Sequence, residues 1–284
     1  MVDGICGMGR DLGRFEEKAK AIAAINGATR VAYRFVADSS APRFRGEEAR
    51  MHLSGKRAGE CIVCVGLNSP ERRLSREEGR KEDALLEKAR KASERNGGKA
   101  AFLKAGLESK YSFEVPATVS PGDVRALAGL YAEAFNGGYW FQISEASIRR
   151  ILCGKGSVVA AARDRKTGEI ASCYVGQVTD FGGGILMAEI GEAATSPQHR
   201  MAGLGSVLAH LLAGELFRRG VDLAFAETRA TTPTSSITIF RLGAKYAGRL
   251  VKAVRMPREG RHAEKEGAFE SLNLLCLNRG EFSP

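Results

Sequence analysis

A chain of 284 residues is long enough to bury a sizeable core, either as one large domain or as two small ones. Its apolar fraction of 44% and charged fraction of 27% are those of a globular protein. No apolar run approaches the roughly 20 residues of a membrane-spanning helix, and residues 1–14 lack a hydrophobic signal segment. We therefore expect a cytoplasmic protein without a membrane partner.

The net charge of +10 arises mainly in the first part of the chain, where residues 1–110 carry 23 Lys and Arg against 16 Asp and Glu. A basic balance suits either nucleic acid or a polyanionic phosphorylated cofactor. The basic residues alternate with acidic ones at helical spacing, and no aromatic-rich stacking platform accompanies them. Nucleic acid is therefore the less favoured partner.

Six cysteines occur mostly inside apolar runs, so a disulfide scaffold is not predicted. Cys61 and Cys64 have C-x-x-C spacing, but they lie in a β-rich run in which residues three apart point to opposite faces. The four histidines lack metal-ligand spacing. We predict no metal site.

The first 69 residues are predicted to form a small α+β domain. Charged and apolar residues alternate with helical spacing over residues 11–26, and Asn26 and Gly27 supply a C-terminal helix cap. Three β-rich segments follow, at residues 30–37, 49–53 and 60–67.

Residues 70–110 have a different composition, with opposite charges three or four positions apart along the chain. Such pairs stabilise an exposed helix, and Asn96, Gly97 and Gly98 then interrupt it. This segment is predicted to be a charged helical linker between two domains.

Residues 111–284 are predicted to form the second domain. From residue 113 the predicted elements follow the order β-α-α-β-β-β-α-β-α-β-β, with Ser120 and Ser144 as N-caps of the first two helices. A strand over residues 185–196 is followed by a glycine-containing loop and by a helix from about Leu204 to Arg219. The fold class is therefore α+β.

The loop between this strand and helix carries the clearest motif. It reads Q-H-R-M-A-G-L-G over residues 198–205 and fits the pattern Q/R-x-x-G-x-G/A, with Arg200 first and Gly203 and Gly205 in the glycine positions. Glycine lets backbone N–H groups approach an anion, and the helix that follows presents its positive end. The pattern is neither a dinucleotide-binding fingerprint nor a P-loop. A pyrophosphate fits such a loop, although a short glycine pattern also occurs in tight strand-to-helix turns.

The loop motif and the element order across residues 113–277 resemble the GNAT superfamily of acyl-CoA N-acyltransferases. The stretches MAEIGEAATSPQHRMAGLGSVLAHLL and LGAKYAGRLVKAVRM look most like the beta-lysine N-acetyltransferase family. The resemblance implies a mixed, mostly antiparallel sheet flanked by helices, preceded by a degenerate GNAT-like half. It also implies an enzyme that moves an acetyl or other acyl group from acyl-CoA to the amine of a small molecule, such as beta-lysine.

The resemblance further implies which residues bind acetyl-CoA. The strand before the loop is expected to pair with the pantetheine arm, the loop amides to hold the pyrophosphate, and small residues to admit the thioester. The predicted cofactor-binding residues are Ala193, Ala194, Thr195, Arg200, Met201, Ala202, Gly203, Leu204, Gly205, Ser206, Ser236 and Phe240.

Acyl transfer requires a neutral amine, whose unperturbed pKa lies near 10, so a base must remove a proton. Glu192 is the preferred base because it lies nearer the expected thioester, and Glu189 is the alternative. Residues three apart on a strand face opposite ways unless a bulge intervenes, so we expect only one of the two in the site. Phe240 stands where many superfamily members have a tyrosine acid, which leaves Tyr246 or an unassisted thiolate.

The acceptor is expected to bind at the loop over residues 136–141, which contains the only tryptophan. Arg149 or Arg229 is a candidate partner for an acceptor carboxylate. A protein or peptide N-acetyltransferase and an inactive GNAT-fold scaffold remain open as alternatives, and a homodimer is possible. The predicted substrate-binding residues are Asn136, Tyr139, Trp140, Phe141 and Arg229.

Overall fold

The structure is a computed structural model that describes residues 16–21, 28–94, 100–136, 139, 141–256 and 267–282. Ten strands form one sheet within these residues. The strands are β1 (Arg30–Asp38), β2 (Glu47–His52), β3 (Glu60–Asn68), β4 (Tyr111–Glu114), β5 (Ser157–Asp164), β6 (Ile170–Asp180), β7 (Leu186–Thr195), β8 (Leu223–Arg229), β9 (Lys245–Met256) and β10 (Ala268–Asn278).

Six α-helices accompany the sheet within these residues, and residues 16–21 are also helical. The rest of the helix predicted over residues 11–26 lies outside the described residues. The order of the strands in the sheet is β1-β3-β2-β9-β10-β8-β7-β6-β5-β4. The helices are α1 (Arg76–Glu94), α2 (Ala100–Leu107), α3 (Pro121–Ala134), α4 (Glu145–Leu152), α5 (Leu204–Arg218) and α6 (Pro233–Phe240).

The sheet is mostly antiparallel, as predicted, and its two faces have different cover. Buried side chains of α5 and α6 form one core with the inward residues of β5 to β8 and β10, and we call this side the α5 face. Helices α3 and α4 cover part of the opposite side, which we call the α3 face. Along β7 and β8 successive residues alternate between these two faces.

The helices of the α3 face begin as the sequence predicts. The Ser120 hydroxyl accepts a hydrogen bond from the Asp123 amide at 3.1 Å, and Pro121 occupies the first turn of α3. The Ser144 hydroxyl accepts one from the Ser147 amide at 3.2 Å at the start of α4. Both helices then bury the apolar stripe that their periodicity indicates.

Strands β1 to β3 extend the sheet of the later part of the chain. They join it through β2, which pairs with β9 at a single position, Ala49 opposite Gly248. Gly248 has a φ of +151°, and an added Cβ would lie 2.2 Å from the Glu48 carbonyl oxygen, so only glycine fits there. Residues of β2 and β3 share a core with residues of β7, β8 and β10. Within the predicted N-terminal domain, residues 1–69, strands β1 to β3 therefore share the sheet with the later strands, and β2 and β3 also share a core with them.

Helix α1 lies within the segment predicted to be a charged helical linker, and one side of it is packed. It packs against α6 and buries Glu82, Ala89 and Ser93. The Arg249 guanidinium of β9 lies 3.4 Å from the Glu82 carboxylate and 2.9 Å from that of Asp83. Among the described helices, none combines the length and the apolar character that crossing a membrane requires.

Candidate functional site

The site begins where β7 and β8 separate. These are the only parallel neighbours among the described strands, and they pair over just three positions, from Met187 opposite Leu223 to Glu189 opposite Phe225. Strand β7 then continues to Thr195 and β8 to Arg229 without further pairing to each other. A gap therefore opens in the middle of the sheet and connects its two faces.

The glycine loop lies at the end of β7 and leads into α5. Gly203 has a φ of +87° and is the N-cap of α5. Met201 has a φ of +63°, and its side chain is fully exposed and unpacked. A left-handed backbone at a residue other than glycine costs roughly 1–2 kcal/mol. No packing of the Met201 side chain offsets that cost.

The backbone N–H groups of residues 201–205 have no acceptor within the described part of the chain. The first amides of a helix precede its regular hydrogen bonds, and here the loop adds further amides beside them. Together with the positive end of α5, they have the arrangement that commonly binds anions at the start of a helix.

Two arginines flank this loop. The predicted Arg200 donates to the Ala134 carbonyl oxygen at 2.8 Å, so its guanidinium closes the end of α3. Arg241, which follows α6, lies on the other side, with Nη1 at 3.3 Å from the Ser206 hydroxyl. Its Nε is buried and has no hydrogen-bond partner in the described residues. An anion at the start of α5 would give this Nε–H group an acceptor.

A β-bulge in β7 shapes the opposite side of the gap. Val175 of β6 pairs with Gly191, but Cys173 pairs with Ala194, so β7 contains one extra residue. Glu192 lies in this bulge with a φ of +44°. Without the extra residue, Glu189 and Glu192 would point to opposite faces; with it, Glu192 points to the α3 face, where Glu189 also lies. Both carboxylates are therefore on one side of the sheet, against the expectation that only one would be.

Two tyrosines hold Glu192. The Tyr139 hydroxyl donates to the Glu192 carboxylate at 2.7 Å, and the Tyr131 hydroxyl donates to the Glu192 carbonyl oxygen. Tyr139 also stacks on Phe135, with ring centroids 4.1 Å apart, and meets Phe141 edge to face at 5.1 Å. The predicted acceptor loop is thus tied to the preferred base by a direct hydrogen bond.

Burial determines the protonation of this cluster. Burial, followed by the negative charge of Glu192, raises the pKa of Tyr139 well above its ordinary value. Burial also raises the pKa of Cys173, behind Tyr131, to about 12. Tyr139 therefore remains a hydrogen-bond donor at neutral pH, and the Cys173 thiol remains protonated and unreactive.

Several other predicted cofactor residues line the gap or adjoin it. Ala193 packs towards the α5 face and Ala194 towards the α3 face, and the Thr195 hydroxyl is 2.8 Å from that of Ser172. Ser236 is buried, and its hydroxyl lies 2.8 Å from the Thr228 hydroxyl, so that side chain already has a partner. Ala202, Leu204 and Gly205 occupy the loop and the first turn of α5 as predicted.

Tyr246, the predicted acid, is not brought to the glutamates. Tyr246 pairs with Leu275 of β10, which in turn pairs with Ala226 of β8. Paired residues of neighbouring strands point to the same face, and Leu275 and Ala226 belong to the core of the α5 face, so Tyr246 also points to that face. Three strand spacings, about 14 Å, separate β9 from β7. Tyr246 instead lines a cavity of about 520 Å³ with α1, together with the predicted Phe240. A group on the other face and three strands away is badly placed to protonate a thiolate in the gap.

The remaining acceptor predictions have mixed outcomes. Arg229 lies on the α3 face with the glutamates, and its guanidinium binds the Glu270 carboxylate through two contacts, of 2.9 and 2.6 Å. Asn136 lies two residues after α3, with a φ of +48°, and is exposed. Trp140 lies outside the described residues. The described part of the chain contains no group of three or more side chains that could hold a metal ion.

Comparison with known proteins gives structural similarity only. No protein-family model and no curated protein matches the sequence. The ribosomal-protein-S18-alanine N-acetyltransferase from Escherichia coli is similar at 20% identity, with 59% of this chain and 93% of the other covered and a TM-score of 0.46. A GCN5-related N-acetyltransferase from Kribbella flavida is similar at 15% identity, with 60% of this chain and 99% of the other covered and a TM-score of 0.48. A GNAT-superfamily phosphinothricin acetyltransferase from Sinorhizobium meliloti in complex with AcCoA is similar at 17% identity, with 60% of this chain and 88% of the other covered and a TM-score of 0.46. TM-scores below 0.5 at such identities do not by themselves assign an activity.

Sequence reasoning missed three residues of the site. Tyr131 lies in the apolar stripe of α3 and Cys173 in a buried strand, and hydrophobic periodicity reports burial and not partners. Arg241 directly follows Phe240 at the end of α6. A cation directly after that helix was the available sign of a second contact to an anion.

Proposed function

We propose that the chain is an acyl-CoA-dependent N-acyltransferase that acetylates the amine of a small molecule. The observation that carries this proposal is the pair of glutamates that the β7 bulge places together at the gap between β7 and β8. The anion-binding loop lies at the end of the same strand. A base and a phosphate site joined by one open strand are the minimum that acyl transfer from CoA requires.

The residues around the gap fit CoA. The unpaired amides of residues 201–205, the helix end and the unpartnered Nε of Arg241 suit a pyrophosphate. The unpaired edges of β7 and β8 suit the two amides of a pantetheine arm. Ala193 and Ala194 leave space beside the bulge because their side chains are small.

Glu192 is the proposed base. When bound, acyl-CoA supplies an activated acyl carbon, to which the amine nitrogen forms a bond while the carbon–sulfur bond breaks. Glu192 accepts the proton that the ammonium must lose, either directly or through water. Glu189, on the same face, provides a second negative charge that favours the approach of a cationic amine.

Tyr131 and Tyr139 position that base. One fixes the carbonyl oxygen of Glu192 and the other its carboxylate, so the left-handed residue and its side chain are both restrained. The thiolate needs no dedicated acid, because a thiol has an ordinary pKa near 8.5. The buried, protonated Cys173 argues for direct attack rather than an acyl-cysteine intermediate.

We favour an amino acid such as beta-lysine, or a related biosynthetic intermediate, as the acceptor. The α3 face carries carboxylates for an ammonium group, aromatic rings for an aliphatic chain, and arginines for a carboxylate. The packing of Tyr139 and Phe141 against Tyr131 favours a small acceptor over a folded protein.

The direct test is a measurement of thiol release from acetyl-CoA with a panel of amino acids, diamines and peptides, together with calorimetry of CoA binding. We expect micromolar CoA binding and thiol release only with some amines, with one acetyl group transferred per thiol. CoA binding without turnover on any acceptor would favour the inactive scaffold. Absence of CoA binding would refute the proposal.

A further inference from the structure

The N-terminal strands place a cation over the same gap. We propose that β1 completes the acceptor site through Arg34, which binds a carboxylate of the acceptor. This inference rests on the proposed function, since it concerns the acceptor side of that site. It gives the N-terminal part of the chain a role in selecting acceptors that carry a carboxylate as well as an amine.

The sheet curls so that β1 approaches β8, because Arg34 of β1 contacts Glu227 of β8 although four strands separate β1 from β8 in the sheet. Arg34 lies opposite Cys64, whose side chain belongs to the core that β2 and β3 share with β7, β8 and β10. Its guanidinium forms an ion pair with the Glu227 carboxylate of β8 and lies 4.8 Å from the centroid of the Phe225 ring. A residue near the start of the chain therefore contacts the central strand that borders the gap.

These contacts lie beside the proposed catalytic carboxylates. Phe225 is directly opposite Glu189, one strand spacing or about 4.8 Å away. Glu227 is two residues further along β8, on the same face, where β8 no longer pairs with β7. The Arg34 and Glu227 pair thus borders the opening of the gap on the α3 face, where the amine must approach Glu189 and Glu192.

The pair is suited to bind a ligand because it is partly desolvated but still accessible. The side chains are 18% and 13% exposed, so a ligand can reach them while water screens their charges only weakly. A guanidinium has five N–H donors in a planar fork, which allows one arginine to hold Glu227 and a ligand carboxylate together. The Phe225 ring packs against the Arg34 guanidinium and restrains its orientation.

Arg229 is the competing anchor on this face. It is engaged by Glu270 through two contacts and lies four residues beyond Phe225, roughly 13 Å along β8. Arg34 is therefore nearer to Glu189, and it suits an acceptor whose carboxylate and amine are separated by only a short chain.

The experiment uses matched acceptors, each amino acid beside the amine that lacks only its carboxylate. We expect the wild-type protein to prefer the carboxylate-bearing member, and Arg34→Met to lower that preference by about 10- to 100-fold while CoA affinity stays unchanged. Arg34→Lys, which keeps the charge, should retain part of the preference. Arg229→Met tests the competing anchor and should lower the preference less than Arg34→Met does. Arg72→Met is the matched control, because its guanidinium also lies over a phenylalanine ring, Phe269, outside the proposed site, and it should retain the wild-type preference.

Two outcomes would overturn the inference. One is a wild-type protein that treats both members of each pair alike. The other is an Arg34→Met variant that keeps the wild-type ratio. If Arg34→Met does not fold, the Arg34→Lys ratio decides, because a wild-type ratio there would leave only a structural role for Arg34. A wild-type protein that binds no CoA would instead refute the proposed function itself.

Discussion

The two sides of the gap between β7 and β8 are built in different ways. The proposed phosphate side consists mainly of backbone amides, small residues and a helix end that are neighbours in the chain, with Arg241 added from the end of α6. The acceptor side consists of side chains from β1, α3, the loop that follows it, β7 and β8. A phosphate group is the same in every acyl-CoA, so backbone groups suffice to bind it, whereas an acceptor is recognised through side chains that differ between proteins.

The largest expected effect is on the acceptor side. Glu192→Gln keeps the shape of the side chain and removes the base, so we expect kcat/KM to fall by about 10²- to 10⁴-fold with unchanged CoA affinity. Steady-state thiol release and calorimetry measure the two quantities. Glu189→Gln is the control and should lose less. Equal activity of Glu192→Gln and the wild-type protein would reassign the base.

The next effect tests the phosphate side. Gly203→Ala places a side chain on a backbone with a φ of +87°, which costs roughly 1–2 kcal/mol, so we expect an about tenfold weaker Kd for CoA. Gly168→Ala is the matched control, because its φ is +75° in an open hairpin. Both changes should lower the free energy of unfolding. Only Gly203→Ala should weaken CoA binding. If Gly168→Ala weakened CoA binding equally, the loop would not be the phosphate site.

A smaller effect is expected at the tyrosine that joins the acceptor loop to Glu192. Tyr139→Phe removes a donor to the carboxylate, so we expect kcat to fall about 5- to 10-fold and the acidic limb of the pH–rate profile to move to higher pH. Tyr33→Phe is the control, because Tyr33 also donates to a glutamate, Glu16, but outside the site. A merely structural role of Tyr139 would lower stability and leave the profile in place.

The smallest effect concerns α1. Hydrogen bonds from Lys252 and Ser75 lower the pKa of Glu78 to about 2 in the folded protein, from about 4.5 in the unfolded chain. Glu78 therefore stabilises the fold at pH values above 4.5, and this contribution is lost as the pH falls to about 2. Because Glu78 is half exposed, Glu78→Gln should cost only about 0.5 kcal/mol at pH 7. Urea unfolding at pH 7 and pH 2 measures this difference, which should vanish at pH 2. A change in kcat would contradict a purely structural role for α1.

The sequence predicts most of the second half of the fold. The caps Ser120 and Ser144, the hairpin between β5 and β6 and the strand-loop-helix around Gly203 all follow from local patterns, which act over a few residues. The phosphate loop was predicted for the same reason. Most of its groups are neighbours in the chain, and Arg241 is the exception.

The acceptor side could be predicted only in part. Both glutamates and Tyr139 were singled out, but the bulge that brings Glu189 and Glu192 to one face depends on pairing with β6, which a single strand does not reveal. Tyr246 was misplaced because its strand position, three strands from β7, is a property of the topology. Arg34 was not considered, because nearly 200 residues separate it from Glu227.

The single contact between Ala49 and Gly248 has a further consequence. Strand β2 pairs with β9 at this one position, and beside it the side chains of Arg30, Glu48 and Asn68 form hydrogen bonds with the Val251 backbone. The first three strands are therefore joined to the later ones largely through side chains. Under the two proposals, substitutions in β1 change which acceptor is accepted without altering the loop proposed to bind the phosphates. The part of the chain that can vary between substrates is then separate in sequence from the part that must stay constant.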